Sequence, residues 1–185
     1  MLCSIFTRCK LQTNVRAAEA MHRRWLSAMI LAGALTMMLL GPSWADVVGE
    51  ARVIDGDTIE VAGERIRLHG IDAPEARQTC VIAGQRWRCG ESATLALEHE
   101  VEGHSVTCRG KKRDRYGRII AVCYAGENDL NALMVRDGWA LAYRRYAKDY
   151  VTEETEAQNA FRGMWRGQFV PPWKWRRNIR LVAQE

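Results

Sequence analysis

Apolar positions along the chain fall into two regimes. Leu26 to Leu40 is a mainly apolar run without a charge, preceded by the basic stretch His22-Arg23-Arg24 and followed by Gly41-Pro42 and Ser43-Trp44-Ala45. Basic region, apolar core, then small residue, spacer and small residue is the order of a secretory leader. At about fifteen residues, the run falls short of the roughly twenty needed to span a bilayer. The pattern predicts export, periplasmic or extracellular, with cleavage after Ala45 and no stable membrane association afterwards. Residues 1–20 lack this pattern and read as an upstream extension, Met21 being an alternative start.

From Val47 onward the apolar positions come in short segments. Val47 to Ile54, Thr58 to Val61 and Arg65 to Ile71 are rich in Val and Ile with partial alternation, and predict three strands. Gly56 and Gly63 punctuate them, and Ala62-Gly63 reads as a hairpin turn. Residues 73–90, with one proline, two glycines and two cysteines, read as a loop. Glu91 to Glu100 reads as a helix, and Ser105 to Arg109 and Arg118 to Tyr124 as two further strands. Asn128 or Asp129 caps a helix through Arg136, ended by Gly138. Thr152 is a candidate cap for a last helix. Glu153, Glu154 and Glu156 suit its positive end, and Ala157, Ala160, Phe161, Met164 and Trp165 form one apolar face. Three strands, a helix, two strands and then helices predict an α+β, mainly β, domain: a small five-stranded barrel with about three packed helices. The domain is expected over 46–166, with a Trp- and Arg-rich tail, 167–185, packed on it.

Charge changes the picture less than its total suggests. The formal net charge is +5 over 185 residues. Removal of 1–45 takes away Arg8, Lys10, Arg16, Arg23 and Arg24 but only one acid, Glu19, leaving about +1. Overall basicity is therefore no argument for a nucleic-acid partner; the placement of the charges must carry it. Of six cysteines, Cys80, Cys89, Cys108 and Cys123 remain beyond the leader. An even number in an exported domain suggests disulfides, with three possible pairings. Cys80 and Cys89 bracket a short loop, and Cys108 and Cys123 sit in two strands flanking a basic turn, which favours 80–89 and 108–123. No metal-ligand spacing of Cys or His competes with this reading.

Three segments carry candidate chemistry. In Ile54-Asp55-Gly56-Asp57-Thr58 two carboxylates flank a glycine at a strand junction, which as a lone feature is an ordinary capped turn. In Arg67-Leu68-His69-Gly70-Ile71-Asp72-Ala73-Pro74-Glu75 an arginine lies among apolar neighbours and needs a partner; a phosphate matches its guanidinium fork. Asp72 and Glu75 follow at the strand's end, and a hard cation such as calcium takes carboxylate and carbonyl oxygens. In Asp114-Arg115-Tyr116-Gly117-Arg118 a hairpin rich in Lys and Arg, Arg113 among them, places positive charge at one end of the barrel.

These segments, with Asn131 to Gly138 following in order, resemble the staphylococcal nuclease family over roughly residues 47–166. The resemblance implies an OB-type barrel and a calcium-dependent phosphodiesterase acting on DNA or RNA, monomeric, leaving 3′-phosphate ends. Asp57 and Asp72 would hold the calcium ion with the carbonyl of Ala73, Glu75 would serve as general base, and Arg67 and Arg118 would clamp the phosphate. Tyr116, Tyr146 and Arg113 would meet the substrate. The segment Tyr143-Arg144-Arg145-Tyr146 departs from the family's base-stacking tyrosines, since only Tyr146 falls on such a position. The alternative is a binding module that kept the barrel and lost catalysis. Such members lack part of the acidic and arginine set, whereas this chain carries all five residues.

Overall fold

The computed structural model describes residues 46–181. The expected leader and cleavage site lie outside the described residues. β1 (Val47–Asp55), β2 (Thr58–Val61), β3 (Glu64–Leu68), β7 (Ser105–Arg113), β8 (Ile119–Ala125) and the short β9 (Asn128–Asp129) form one sheet in the order β3-β2-β1-β7-β8-β9. Parallel pairing of β3 with β8, Ile66 to Ile119 and Leu68 to Ala121, closes that sheet into a five-stranded barrel. Alternation explains which residues fill it. In β8, Ile119, Ala121, Cys123 and Ala125 point inward while the residues between them are half-buried. Together with Ile59, Val61, Ile66, Leu68 and Val106 they make the main core.

Helix α1 (Cys89–Val101) packs on β1 through Ala93, Leu97 and Val101. Helix α2 (Leu130–Arg136) is capped by Asp129, whose side chain accepts from the Ala132 N–H at 3.0 Å. The adjacent Asn131 is fully buried and ties the barrel's closing seam: its amide donates to the carbonyls of His69 (2.9 Å) and Ala121 (3.3 Å), and its oxygen accepts from Cys123 N–H (3.1 Å). Helix α3 (Val151–Asn159) and a short 3-10 turn at Gly163–Arg166 follow, then α4 (Pro172–Trp175). No helix of the described residues is long and apolar enough to cross a membrane. Both expected disulfides are formed, Cys80–Cys89 and Cys108–Cys123, the second between directly paired residues of β7 and β8.

Three expectations change. The strand read as Arg65 to Ile71 breaks at His69-Gly70, where Gly70 has φ +73, and resumes as β4 (Ile71–Asp72), paired with β10 (Leu141–Ala142). The 73–90 loop contains a hairpin, β5 (Cys80–Ile82) and β6 (Gln85–Trp87), around Ala83-Gly84. The last helix ends at Asn159 and begins from Tyr150 without a side-chain cap. The chain then turns through Phe161, at φ 52 and largely exposed, and Gly163. This break lets Met164 N–H reach the Gly138 carbonyl at 3.0 Å, an approach so close that a Cβ on Gly163 would lie 2.3 Å from that oxygen. Met164 thereby enters a second core with Cys80, Cys89 and Leu141, covered by Trp87, Trp165, Phe169 and Trp173.

Candidate active site

One end of the barrel gathers the charged residues because several strands terminate there. The β1–β2 turn presents Asp57, whose N–H donates to Asp55 Oδ1 at 3.0 Å. Gly56 lets this turn lie flat: a Cβ there would sit 2.8 Å from that of Ala73 and 2.9 Å from that of Ala93. β4 delivers Asp72, fully buried, from the neighbouring edge. Between them stands Arg67 of β3, whose guanidinium spans the pair, with Nη1 2.9 Å from Asp57 Oδ2 and Nη2 2.9 Å from Asp72 Oδ1. Ala73 N–H donates to Asp57 Oδ2 at 2.9 Å, fixing the chain just after Asp72.

Two acids held this close and this deep are under-compensated. Burial, and then the charge of Asp57, push the Asp72 carboxyl up to about 6 against the pull of Arg176 and Arg67. Burial, and again Asp57, push Asp55 up to about 6 as well. A bound cation would relieve that crowding. Among the described residues no three carboxylates, imidazoles or thiols converge as a ready metal cluster. The donor chemistry nevertheless fits an oxygen-seeking ion: two carboxylates bridged by one arginine, with the Ala73 carbonyl next in the chain.

Arg118 approaches from the β7–β8 hairpin. Asp114 orients it, accepting from Nε at 2.8 Å and Nη2 at 2.7 Å. The Asp114 carboxyl is held below the usual carboxylate range: slight burial works against this, but Arg118 and the N–H groups of Tyr116 and Arg118 outweigh it. Arg118 Nη1 also donates to Thr58 Oγ1 (3.2 Å), which donates in turn to Asp57 Oδ1 (3.1 Å). Both arginines thus connect to the same aspartate. Tyr116 lies exposed under Arg118 and Arg115, at 5.6 and 4.7 Å from ring centre to guanidinium carbon.

Glu75 stands half-exposed on the loop after β4, and that loop is fixed by residues that sequence reasoning did not single out. Gln78, fully buried, accepts from Glu75 N–H at 3.3 Å and donates to the Val170 carbonyl at 2.6 Å. Gly90 at the start of α1 lies so close that a Cβ would fall 1.8 Å from the Glu75 carbonyl oxygen. A third such residue is Arg176, which donates to Glu75 Oε1 at 2.6 Å and to Asp72 Oδ2 at 2.8 Å. Of the remaining expected substrate residues, Arg113 is tied to Glu64 (3.0 Å) and the Gly117 carbonyl (2.7 Å), stiffening the hairpin. Tyr146 is exposed, edge-on to Tyr143 at 4.9 Å, and Tyr143 stacks flat on Trp173 at 5.6 Å.

One rim of a small closed barrel thus carries a paired aspartate centre, a nearby glutamate and two oriented guanidiniums. A family model described as "Staphylococcal nuclease homologue" matches residues 65–167. The chain is 40% identical to "Micrococcal nuclease" of Shigella flexneri over 166 residues, 80% of this chain and 90% of that protein. It is 42% identical to an "Uncharacterized endonuclease" of Escherichia coli over 141 residues, 71% and 86% of the two chains. It is also 37% identical to "Succinoglycan biosynthesis protein ExoI" of Rhizobium meliloti over 126 residues, 66% of each. The chain belongs to the staphylococcal nuclease family and is a nuclease of that family.

Proposed function

We propose that this protein is an exported, calcium-dependent phosphodiesterase that hydrolyses DNA or RNA and leaves 3′-phosphate ends. The observation that carries the reading is the Asp57–Arg67–Asp72 bridge, with Glu75 and Arg118 at its two sides. Asp57, Asp72 and the Ala73 carbonyl are the residues to hold the ion. A bound divalent cation supplies fixed positive charge against the charge that builds on a pentacoordinate phosphorus.

The chain's own residues do the rest. Arg67 is pinned by the two aspartates and lies largely buried, so it meets a phosphate oxygen without first being ordered. Arg118 is aimed by Asp114 in the same way and meets a second oxygen. Glu75, half-exposed, takes the proton of the attacking water and needs no deep desolvation to do so. Tyr116 and Tyr146 offer exposed rings on which bases can stack, and the basic hairpin attracts the backbone. Two disulfides favour an oxidising compartment, in keeping with the leader-like segment.

The test is hydrolysis of single-stranded DNA and RNA by the purified protein, with calcium and with chelator, beside Glu75→Gln. Cleavage that requires calcium and falls about a hundredfold or more in Glu75→Gln is expected. Cleavage unaffected by chelator would overturn the calcium dependence, and no cleavage of either substrate with or without calcium would favour a binding module. Activity that survives Glu75→Gln would remove the proposed base, and end-labelling of the products decides the 3′-phosphate.

A further inference from the structure

The tail beyond Val170 carries a charge into the centre of the site. Val170 is held by Gln78, Pro172 is buried, and Trp173 lies parallel to Tyr143, 7° between planes. Arg176 leaves the end of α4 and returns to the barrel. Its Nη1 donates to Asp72 Oδ1 at 3.1 Å and Glu75 Oε1 at 2.6 Å, and its Nη2 to Asp72 Oδ2 at 2.8 Å. With Arg67 also on Oδ1, both oxygens of Asp72 face guanidiniums.

An ionised carboxylate offers about four lone-pair sites, and on Asp72 one hydrogen bond from Arg67 and two from Arg176 occupy three of them. A divalent cation on Asp72 therefore meets a resident monovalent one. Of the two arginines there, Arg67 is the fixed one: its side chain is 15% exposed, and Asp57 grips it as well as Asp72. Arg176 is 41% exposed and sits behind a helix of four residues near the C-terminus. Three carboxylates, Asp57, Asp72 and Glu75, face these two guanidiniums. Arrival of a divalent ion reverses the sign of that balance, and repulsion falls on the group least held.

We propose that Arg176 and the divalent cation exchange on Asp72 and Glu75, so that the C-terminal tail caps the metal site in the metal-free protein and is released as the ion loads. The inference rests on the metal reading of the site given above. It makes the tail a regulator of that site: where the ion is scarce, Asp72 and Glu75 stay paired with Arg176 and covered.

The test is calcium binding by isothermal titration to the purified protein without nucleic acid, for wild type, Arg176→Ala and Arg176→Lys. A capped fraction of about four molecules in five lowers apparent affinity about fivefold, so Arg176→Ala binds calcium about fivefold more tightly. Arg176→Lys, which keeps the charge but loses the fork, falls between. In wild type, the Arg176 Nε–H resonance shifts in step with calcium saturation. Equal or weaker calcium binding by Arg176→Ala, or a resonance that does not follow saturation, overturns the exchange alone. Absence of calcium binding in both wild type and Arg176→Ala overturns the metal reading, and the exchange falls with it.

Discussion

Gln78 joins the Glu75 loop to the C-terminal segment, and Gln78→Met isolates what that junction is worth. Methionine has nearly the same length and volume, so the change opens little cavity. Two hydrogen bonds disappear. The Val170 carbonyl, in a residue only 5% exposed, loses the 2.6 Å donation from the amide and has no route to water. An orphaned buried acceptor costs about 1–3 kcal/mol. The Glu75 N–H loses its 3.3 Å acceptor but is only partly buried, so its loss is about 0.5–1 kcal/mol. The sum is a destabilisation of about 1.5–4 kcal/mol, read as a lower urea midpoint with an unchanged slope. Freed from Gln78, Glu75 also strays from its position, and kcat falls about tenfold or more. Equilibrium unfolding and steady-state cleavage on one preparation give both numbers. A loss of less than about 1 kcal/mol together with wild-type kcat would refute the view that Gln78 holds the loop.

Gly90→Ala forces a methyl into the Glu75 carbonyl, so activity should collapse while the barrel melts cooperatively; wild-type activity would show that the loop does not need this approach. Asp55→Asn keeps the acceptor for Asp57 N–H but removes a carboxyl whose folded value, about 6, lies above its ordinary 3.8. A raised carboxyl costs stability above its folded value, and the cost fades as pH falls from about 6 to about 4. In chelator this variant should therefore melt higher than wild type near about pH 8 and equal to it near about pH 4; a pH-independent gain would contradict the assignment. Replacing Cys108 and Cys123 together by serine opens a link across 15 residues and should cost about 3 kcal/mol, with calcium-dependent cleavage retained below the melting point; thermal melts and cleavage at low temperature check it.

The barrel was legible because its strands alternate, and the alternation survives in the burial of β1 and β8. The Asp57, Arg67, Asp72 and Glu75 cluster was legible for a related reason: strand ends at one rim bring short, contiguous motifs together. The β5–β6 hairpin was equally available. Ala83-Gly84 has φ values of 49 and 79, the same as Ala62-Gly63, which was read as a turn. Two cysteines and mixed polarity hid the strands beside it. The end of the last helix was hidden by periodicity that runs on through Met164 and Trp165, although the backbone turns aside between them and Asn159. Gln78 and Arg176 left no local signal at all. Arg176 lies 104 residues from Asp72, and nothing in a Trp- and Arg-rich tail says which cation will be buried against which acid. Such pairings depend on how the second core seats the tail, and seating is decided by packing rather than pattern.

In the proposed function, Asp57 and Asp72 hold a metal ion beside the phosphate that Arg67 meets. A crystal structure of the protein with calcium and a nucleoside 3′,5′-bisphosphate tests it most directly. A calcium ion ligated by Asp57, Asp72 and the Ala73 carbonyl is expected, with one phosphate between Arg67 and Arg118 and Glu75 facing that phosphate. A phosphate bound away from both arginines, or a calcium ion held by other residues, would contradict it.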